Sequence, residues 1–203
     1  MKRPLHAFWP LILILGIGCL KPSNPIKVVS NADLGAARKI AVLDFGFQPS
    51  PRAAQSATAA IRTIYKYPKE EEKPGSVMAD AMAAALMKGR LYEVVDRAKV
   101  ANLQQPATAM PTAAQLAPLA KELSVDGFVA GTVTECVMTN RSACCASMDV
   151  TEIRADVRLV TAAGDEVWST SMYLREDGVN WNSAMRRLAN RVAKALDQRL
   201  PRR

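Results

Sequence analysis

Alternation of apolar and polar residues is clearest in the last third of the chain. From Val150 to Thr161, charged residues alternate with apolar ones, namely Ile153, Ala155, Val157 and Leu159. This period of two predicts a β-strand with one covered face. Apolar runs bounded by turn residues predict four further strands, which are Ile40–Phe47, Tyr92–Asp96, Gly127–Met138 and Glu166–Arg175.

Apolar residues at helical spacing predict the helices that connect these strands. The clearest helix is Ser76–Lys88, with Gly89 after it, and its methionines Met78 and Met82 are interpreted as core residues. Further helical segments are predicted at Ala53–Tyr67, Ala98–Gln105, Ala113–Leu123 and from Asn182 or Ser183 to Leu200. The predicted fold class is α/β, a single mixed sheet of about five strands covered by helices. Its first part is parallel and its last part consists of antiparallel hairpins.

The N-terminus has the three parts of an export signal. Met1-Lys2-Arg3 is basic, Leu5–Ile17 is mostly apolar, and Gly16-Ile17-Gly18 supplies small residues directly before Cys19. This arrangement resembles the lipobox of bacterial lipoproteins, in which the Cys thiol receives a diacylglyceryl group. The alternatives are an ordinary signal peptide and a spanning anchor, but an apolar run of about 13 residues falls short of the roughly 20 that a spanning helix needs.

The chain is therefore divided into three parts. Residues 1–18 are predicted to be a lipoprotein signal peptide, 19–38 the lipidated Cys19 with a flexible tether, and 39–203 a single folded domain. Leu20 rather than Asp follows Cys19, which by resemblance to enterobacterial sorting indicates an outer-membrane protein facing the periplasm.

The net charge of the chain narrows the range of expected partners only modestly. The formal net charge is +8, and loss of Lys2 and Arg3 with the signal peptide leaves 25 basic residues against 19 acidic ones. A basic periplasmic domain is expected to meet anionic lipid headgroups, an acidic partner or the acidic cell wall. Nucleic acid is not an expected partner, because export removes the protein from it.

The inventory of reactive side chains argues against an enzyme. The single histidine, His6, lies in the predicted signal peptide, so the mature chain has no Ser-His or Cys-His pair and no histidine metal ligand. No catalytic residue, cofactor or metal site is predicted. Asp44, within an apolar strand, is the one carboxylate singled out, and its ordinary role would be to bond local backbone amides.

Three cysteines remain after Cys19: Cys136, Cys144 and Cys145. In an oxidising envelope Cys136 could form a disulfide with either of the other two, which would leave one thiol over. The alternative is a metal site, but three thiolates without a histidine are an incomplete zinc set.

Two charged patterns are candidate surfaces. Glu152 and Asp156 alternate with Arg154 and Arg158, which predicts an exposed charge ladder on a strand. The last helix carries cations opposite its apolar stripe, and they are either a solvated face or a contact surface for an anionic partner. The cations proposed as that surface are Arg186, Arg187, Arg191 and Lys194.

Four segments, in order, resemble the CsgG/LpoB superfamily of bacterial envelope lipoproteins. They are IAVLDF (Ile40–Phe45), GSVMADAMAAALMKGRLYEVVDR (Gly75–Arg97), VDGFVAGTVTE (Val125–Glu135) and VRLVTAAGDEVWSTS (Val157–Ser171). The resemblance implies one of two functions. CsgG-like proteins are oligomeric outer-membrane secretion channels whose subunits each insert two hairpins, and LpoB-like proteins are tethered activators of a penicillin-binding protein.

Segment lengths favour the second function. The connection Thr139–Asp149 has eleven residues, includes Arg141 and lacks an alternating apolar face, whereas each membrane strand needs about 9–11 residues. The expectation is a non-enzymatic, lipid-anchored periplasmic protein that binds and regulates another envelope protein, as LpoB does. The alternative is a CsgG-like oligomeric assembly or secretion component, and a third class is a thiol redox or metal protein.

Overall fold

The computed structural model of the protein describes residues 27–28, 37–48, 63–69, 72–89, 91–103, 111–143 and 146–199. In these ranges the elements, in chain order, are β1 (Lys27–Val28), β2 (Lys39–Val42), β3 (Gly46–Phe47), β4 (Thr63–Lys66), α1 (Pro74–Gly89), β5 (Glu93–Val94), α2 (Arg97–Leu103), α3 (Ala113–Leu123), β6 (Gly127–Ala143), β7 (Ala146–Thr161), β8 (Glu166–Asp177) and α4 (Trp181–Arg199).

The strands form one mixed sheet in the order β1-β8-β7-β6-β2-β5, with β3 and β4 also paired to β6. β2 runs parallel to both β5 and β6, since α1 carries the chain from β2 to β5 and α2 and α3 carry it on to β6. β6 pairs antiparallel with β7, and β7 pairs antiparallel with β8. The predicted fold class is confirmed, including the change from parallel to antiparallel pairing.

Opposite faces of the sheet pack against different helices. On one face, α1 and α4 cover the larger core, where Met78, Met82, Ile153 and Trp168 are fully buried. On the other face, α2 and α3 cover a smaller core around Leu43, Leu116 and Phe128. Successive residues of a strand point to opposite faces, so the apolar residues of β7 from Ile153 to Leu159 lie in the larger core, whereas the charged residues between them lie on the other face and are exposed.

The central hairpin is longer than predicted. Thr139–Asp149 was expected to connect two strands, but β6 continues to Ala143 and β7 begins at Ala146, with Asn140 opposite Asp149. Backbone pairing, aided by a hydrogen bond from Asn140 Nδ2 to Asp149 Oδ1 (2.7 Å), extends the strands through residues that lack an alternating pattern. The predicted connection is therefore wrong.

A second correction concerns the segment before α1. A helix was predicted over Ala53–Tyr67, but Thr63–Lys66 forms β4, which pairs antiparallel with β6 opposite Met138–Arg141. The rest of that prediction, 53–62, lies outside the described residues. β-branched Thr63 and Ile64 and aromatic Tyr65 suit a strand, and the extended end of β6 provides its pairing partner.

A third correction concerns the tether. Residues 19–38 were predicted to be flexible throughout, but Lys27–Val28 forms β1, which pairs antiparallel with β8, Lys27 opposite Ser169 and Val28 opposite Trp168. Ala37 is also buried, so the folded part begins before residue 39. The predicted signal peptide and Cys19 lie outside the described residues, and no helix within those residues is long and apolar enough to span a membrane.

Candidate functional site

The cations predicted on the last helix lie together on its outer side. α4 begins at Trp181, and Asn180 caps it by accepting a hydrogen bond from Ser183 N at 2.9 Å. Its inner side is buried in the larger core, and the inward residues are Ala184, Met185, Leu188, Ala189, Val192 and Leu196. Arg186, Arg187, Arg191 and Lys194 are exposed on the opposite side. We call these four residues the α4 basic face.

One carboxylate from the sheet organises two of these cations. Glu176, near the end of β8, accepts a hydrogen bond from Arg187 Nη1 at 2.8 Å and another from Arg191 Nη2 at 3.0 Å. The glutamate side chain is 20% exposed, but the arginines keep 54% and 55% of theirs exposed. Glu176 therefore holds both guanidinium groups in position while leaving them open to solvent.

A second surface is formed by β6, β7 and β8 on the sheet face that α2 and α3 cover only in part. We call it the open face, and its residues are Glu135, Glu152, Arg154, Asp156, Arg158, Tyr173 and Arg175. The predicted ladder is confirmed in its exposed members Arg154, Asp156 and Arg158, whereas Glu152 is partly buried.

Four charged residues of the open face form two ion pairs with one another. Arg154 lies 3.6 Å from Glu135 and stacks over the ring of Tyr173, with 5.5 Å between the guanidinium carbon and the ring centre. Arg175 lies 3.4 Å from Glu152. Burial, reinforced by the negative charge of Glu152, raises the pKa of the Tyr173 hydroxyl. These ion pairs neutralise four of the charges on this face, namely Glu135, Glu152, Arg154 and Arg175.

Asp44 has a long-range partner that the sequence did not indicate. Its carboxylate forms an ion pair with Arg97, the first residue of α2. Arg97 also donates to Asp80 of α1 at 3.0 Å and to the Val42 carbonyl at 2.8 Å. The guanidinium group thus joins the end of β2 to two helices, which is a structural contact.

Cys136 lies in the larger core and is 3% exposed. Burial, reinforced by the negative charge of Glu72, raises the pKa of its thiol from 9.0 to about 12. Cys136 has no disulfide with a described residue. Such a thiol is a poor nucleophile and a poor metal ligand at neutral pH, because the thiolate form is scarce.

The other two cysteines, Cys144 and Cys145, lie outside the described residues. A disulfide between Cys136 and either of them therefore stays a prediction for the oxidising envelope. Among the described residues, no three His, Cys, Asp or Glu side chains are grouped so that they could hold a metal ion.

Two residues that make long-range contacts were missed in the sequence. Arg97 and Glu176 each directly follow a predicted strand, and although Arg97 ends a segment that carries the family resemblance, no local pattern assigned a contact to either residue. Their partners are distant in the chain, 53 residues away for Arg97 and Asp44, so no local pattern could have identified the contact.

No protein-family model matches the chain, and no curated protein sequence matches it. Solved structures do match. The PelC dodecamer from Paraburkholderia phytofirmans is 16% identical, covers 87% of this chain and 99% of its own, and has a TM-score of 0.50. Lipoprotein GNA1162 from Neisseria meningitidis is 24% identical over 79% of this chain and 96% of its own, with a TM-score of 0.49.

The LpoB C-terminal domain from Salmonella enterica is 9% identical over 70% of this chain and 85% of its own, with a TM-score of 0.41. All three identities are below 25%. The chain therefore shares its fold with PelC, and the comparison extends no further than the fold.

Proposed function

We propose that the protein is a non-enzymatic lipoprotein, anchored through Cys19 in the outer membrane and facing the periplasm, that binds and regulates another envelope protein. The export signal and Cys19 support the anchor and the location. The resemblance of four ordered segments to the CsgG/LpoB superfamily supports a regulatory role, with a bifunctional penicillin-binding protein as the expected partner.

The open face is the observation that supports binding. It lies on three adjacent strands and carries charged side chains, several of them exposed and four of them joined in ion pairs, next to a region of the same face that α2 and α3 cover. Glu135, Glu152, Arg154 and Arg175 satisfy one another in the free protein. A partner that covers them meets a rigid, neutral surface, which lowers the cost of desolvation.

Photo-crosslinking in intact cells tests this function. A photoreactive amino acid replaces Asp156 on the open face, and in a matched strain it replaces Lys121, an exposed residue of α3. We expect a single adduct with a penicillin-binding protein from position 156 and none from position 121. Adducts of the same mass from both positions, or none from position 156, would contradict the proposal.

A second function is favoured by the fold itself. PelC, which shares this fold, forms a dodecamer in its solved structure. We infer from this that self-assembly, as in a secretion or assembly component, is the alternative. Light scattering of the lipidated protein in mild detergent separates the two, because a ring of many subunits supports assembly and a monomer or dimer supports the regulator.

A further inference from the structure

The direction of β1 limits where the lipid anchor lies. β1 is antiparallel to β8, and Lys27 lies opposite Ser169 while Val28 lies opposite Trp168. The chain therefore enters β1 from the side on which β8 ends. Only residues 20–26 separate Cys19 from Lys27, and this length of chain reaches at most about 29 Å.

The α4 basic face lies at the same end of β8. Glu176 is seven residues beyond Ser169, or about 23 Å along the strand, and it holds Arg187 and Arg191. This distance is within the reach of the segment between Cys19 and Lys27. The end of β8 and the middle of α4 are therefore within reach of a membrane that holds Cys19.

The charge of this surface suits an anionic membrane. Between Trp181 and Leu196, the exposed residues of α4 are four cations and two amides, namely Asn182, Arg186, Arg187, Asn190, Arg191 and Lys194. Among the described side chains, the acid bonded to them is Glu176, which neutralises a single charge. Basic residues close to an anionic bilayer are attracted to it within a Debye length, and their contributions add.

Two of the cations are also positioned for phosphate. Arg187 and Arg191 each give one terminal nitrogen to Glu176, and more than half of each side chain remains exposed. The remaining N–H groups of a guanidinium held in this way can donate to phosphate oxygens in a bidentate manner.

We infer that the α4 basic face lies against the anionic phospholipid headgroups of the membrane that holds Cys19. This inference rests on the lipid anchor of the proposed function. It fixes the orientation of the domain, since α4 then faces the bilayer while the open face, on the other side of the sheet, faces the periplasm and stays accessible to a protein partner.

Energy transfer from tryptophan to labelled headgroups tests the orientation. The mature lipidated protein is reconstituted into vesicles of phosphatidylcholine, with or without phosphatidylglycerol, that carry a trace of dansyl-labelled phosphatidylethanolamine. Outside the predicted signal peptide the chain has two tryptophans, Trp168, which is buried, and Trp181, which starts α4. A Trp181→Phe variant measures the contribution of Trp168.

We expect transfer from Trp181 to rise when phosphatidylglycerol is present and to return to the phosphatidylcholine value at high salt. The double variant R186E/K194E should lose this rise. These two residues are chosen because Glu176 binds the other two cations, so the reversal leaves that contact in place. The matched control K99E/K121E makes the same charge change at exposed positions of α2 and α3 and should keep the rise.

Each other outcome overturns the inference. Three outcomes would show that the α4 basic face does not bind the lipid surface. Energy transfer could be the same with and without phosphatidylglycerol, the increase could persist in R186E/K194E, or K99E/K121E could lose the increase to the same extent. If R186E/K194E instead abolishes capture of the penicillin-binding protein, the face belongs to the protein partner. Failure of the mature protein to float with any vesicle removes the anchor, and the proposed function fails with it.

Discussion

Neighbouring residues of β7 lie in opposite environments. Ile153, Ala155 and Val157 are buried beneath α1 and α4, whereas Arg154 and Asp156, which alternate with them, are exposed on the open face. Close packing of apolar side chains stabilises the covered face. Ion pairs between partly exposed side chains contribute to the open face, and water screens these pairs. Changes to the first should therefore cost much more stability than changes to the second.

The largest expected loss of stability comes from creating a cavity in the core beneath the covered face. Ile153→Ala should lower the free energy of unfolding by about 2–5 kcal/mol, because the fully buried side chain leaves a cavity. Arg154→Ala, one residue further on and on the open face, should cost less than about 1 kcal/mol. Urea denaturation of both variants measures the difference, and equal losses would show that the two faces contribute alike.

Removing the cation that joins β2 to the helices should have the next largest effect. Arg97→Ala removes the partly buried ion pair with Asp44 and should cost about 2 kcal/mol. Asp80→Asn removes the other, more exposed contact of the same guanidinium and should cost about 0.5 kcal/mol. Thermal unfolding of the two variants tests this order, and a larger loss from Asp80→Asn would reverse our assignment of the main contact.

Close packing of α1 against the sheet can be probed with its two terminal glycines. A Cβ at Gly75 would lie 1.9 Å from the Phe45 carbonyl oxygen, whereas a Cβ at Gly89 has nothing within 4 Å. Gly75→Ala should therefore cost about 1–3 kcal/mol, because helix and strand must move apart. Gly89→Ala should stay within about 0.5 kcal/mol of the parent. Urea denaturation of both variants measures these changes. A Gly75→Ala variant as stable as the parent would mean that α1 is not tightly packed against the Phe45 carbonyl.

The thiol in the covered core should make stability depend on pH. The pKa of Cys136 is about 12 in the folded protein, so the unfolded chain loses this proton first as pH rises. Stability is fully present below the unfolded pKa and is lost above it, by about 1 kcal/mol between about pH 8 and pH 10. The Cys136→Ala variant is the comparison: the parent should show a steeper loss over this range, and parallel curves would refute the raised pKa.

The smallest effect is expected on the open face. Arg175→Ala removes a 3.4 Å ion pair with Glu152 and should change the free energy of unfolding by about 0.5 kcal/mol or less. The change should shrink further in high salt, because the pair is exposed. A loss that is large and insensitive to salt would mean that the open face is part of the core after all.

The sequence by itself determined the fold class and the environment of many individual side chains. Period-two alternation in β7 and helical spacing in α1, α3 and α4 are local properties that follow from which face must be buried, so they can be read from neighbouring residues. The outward position of Arg186, Arg187, Arg191 and Lys194 follows from the same rule, because the opposite side of α4 is apolar.

Tertiary structure decided the pairings. The end of the central hairpin, β4 and β1 are strands because another strand offers its backbone hydrogen bonds. The residues of β4 suit a strand, but no local pattern identifies the pairing partner of any of the three segments. Likewise, Asp44 meets Arg97, and Glu176 meets Arg187 and Arg191, only after the chain has folded. A periodic pattern reports which face is buried, whereas a pairing depends on which distant segment the topology brings alongside.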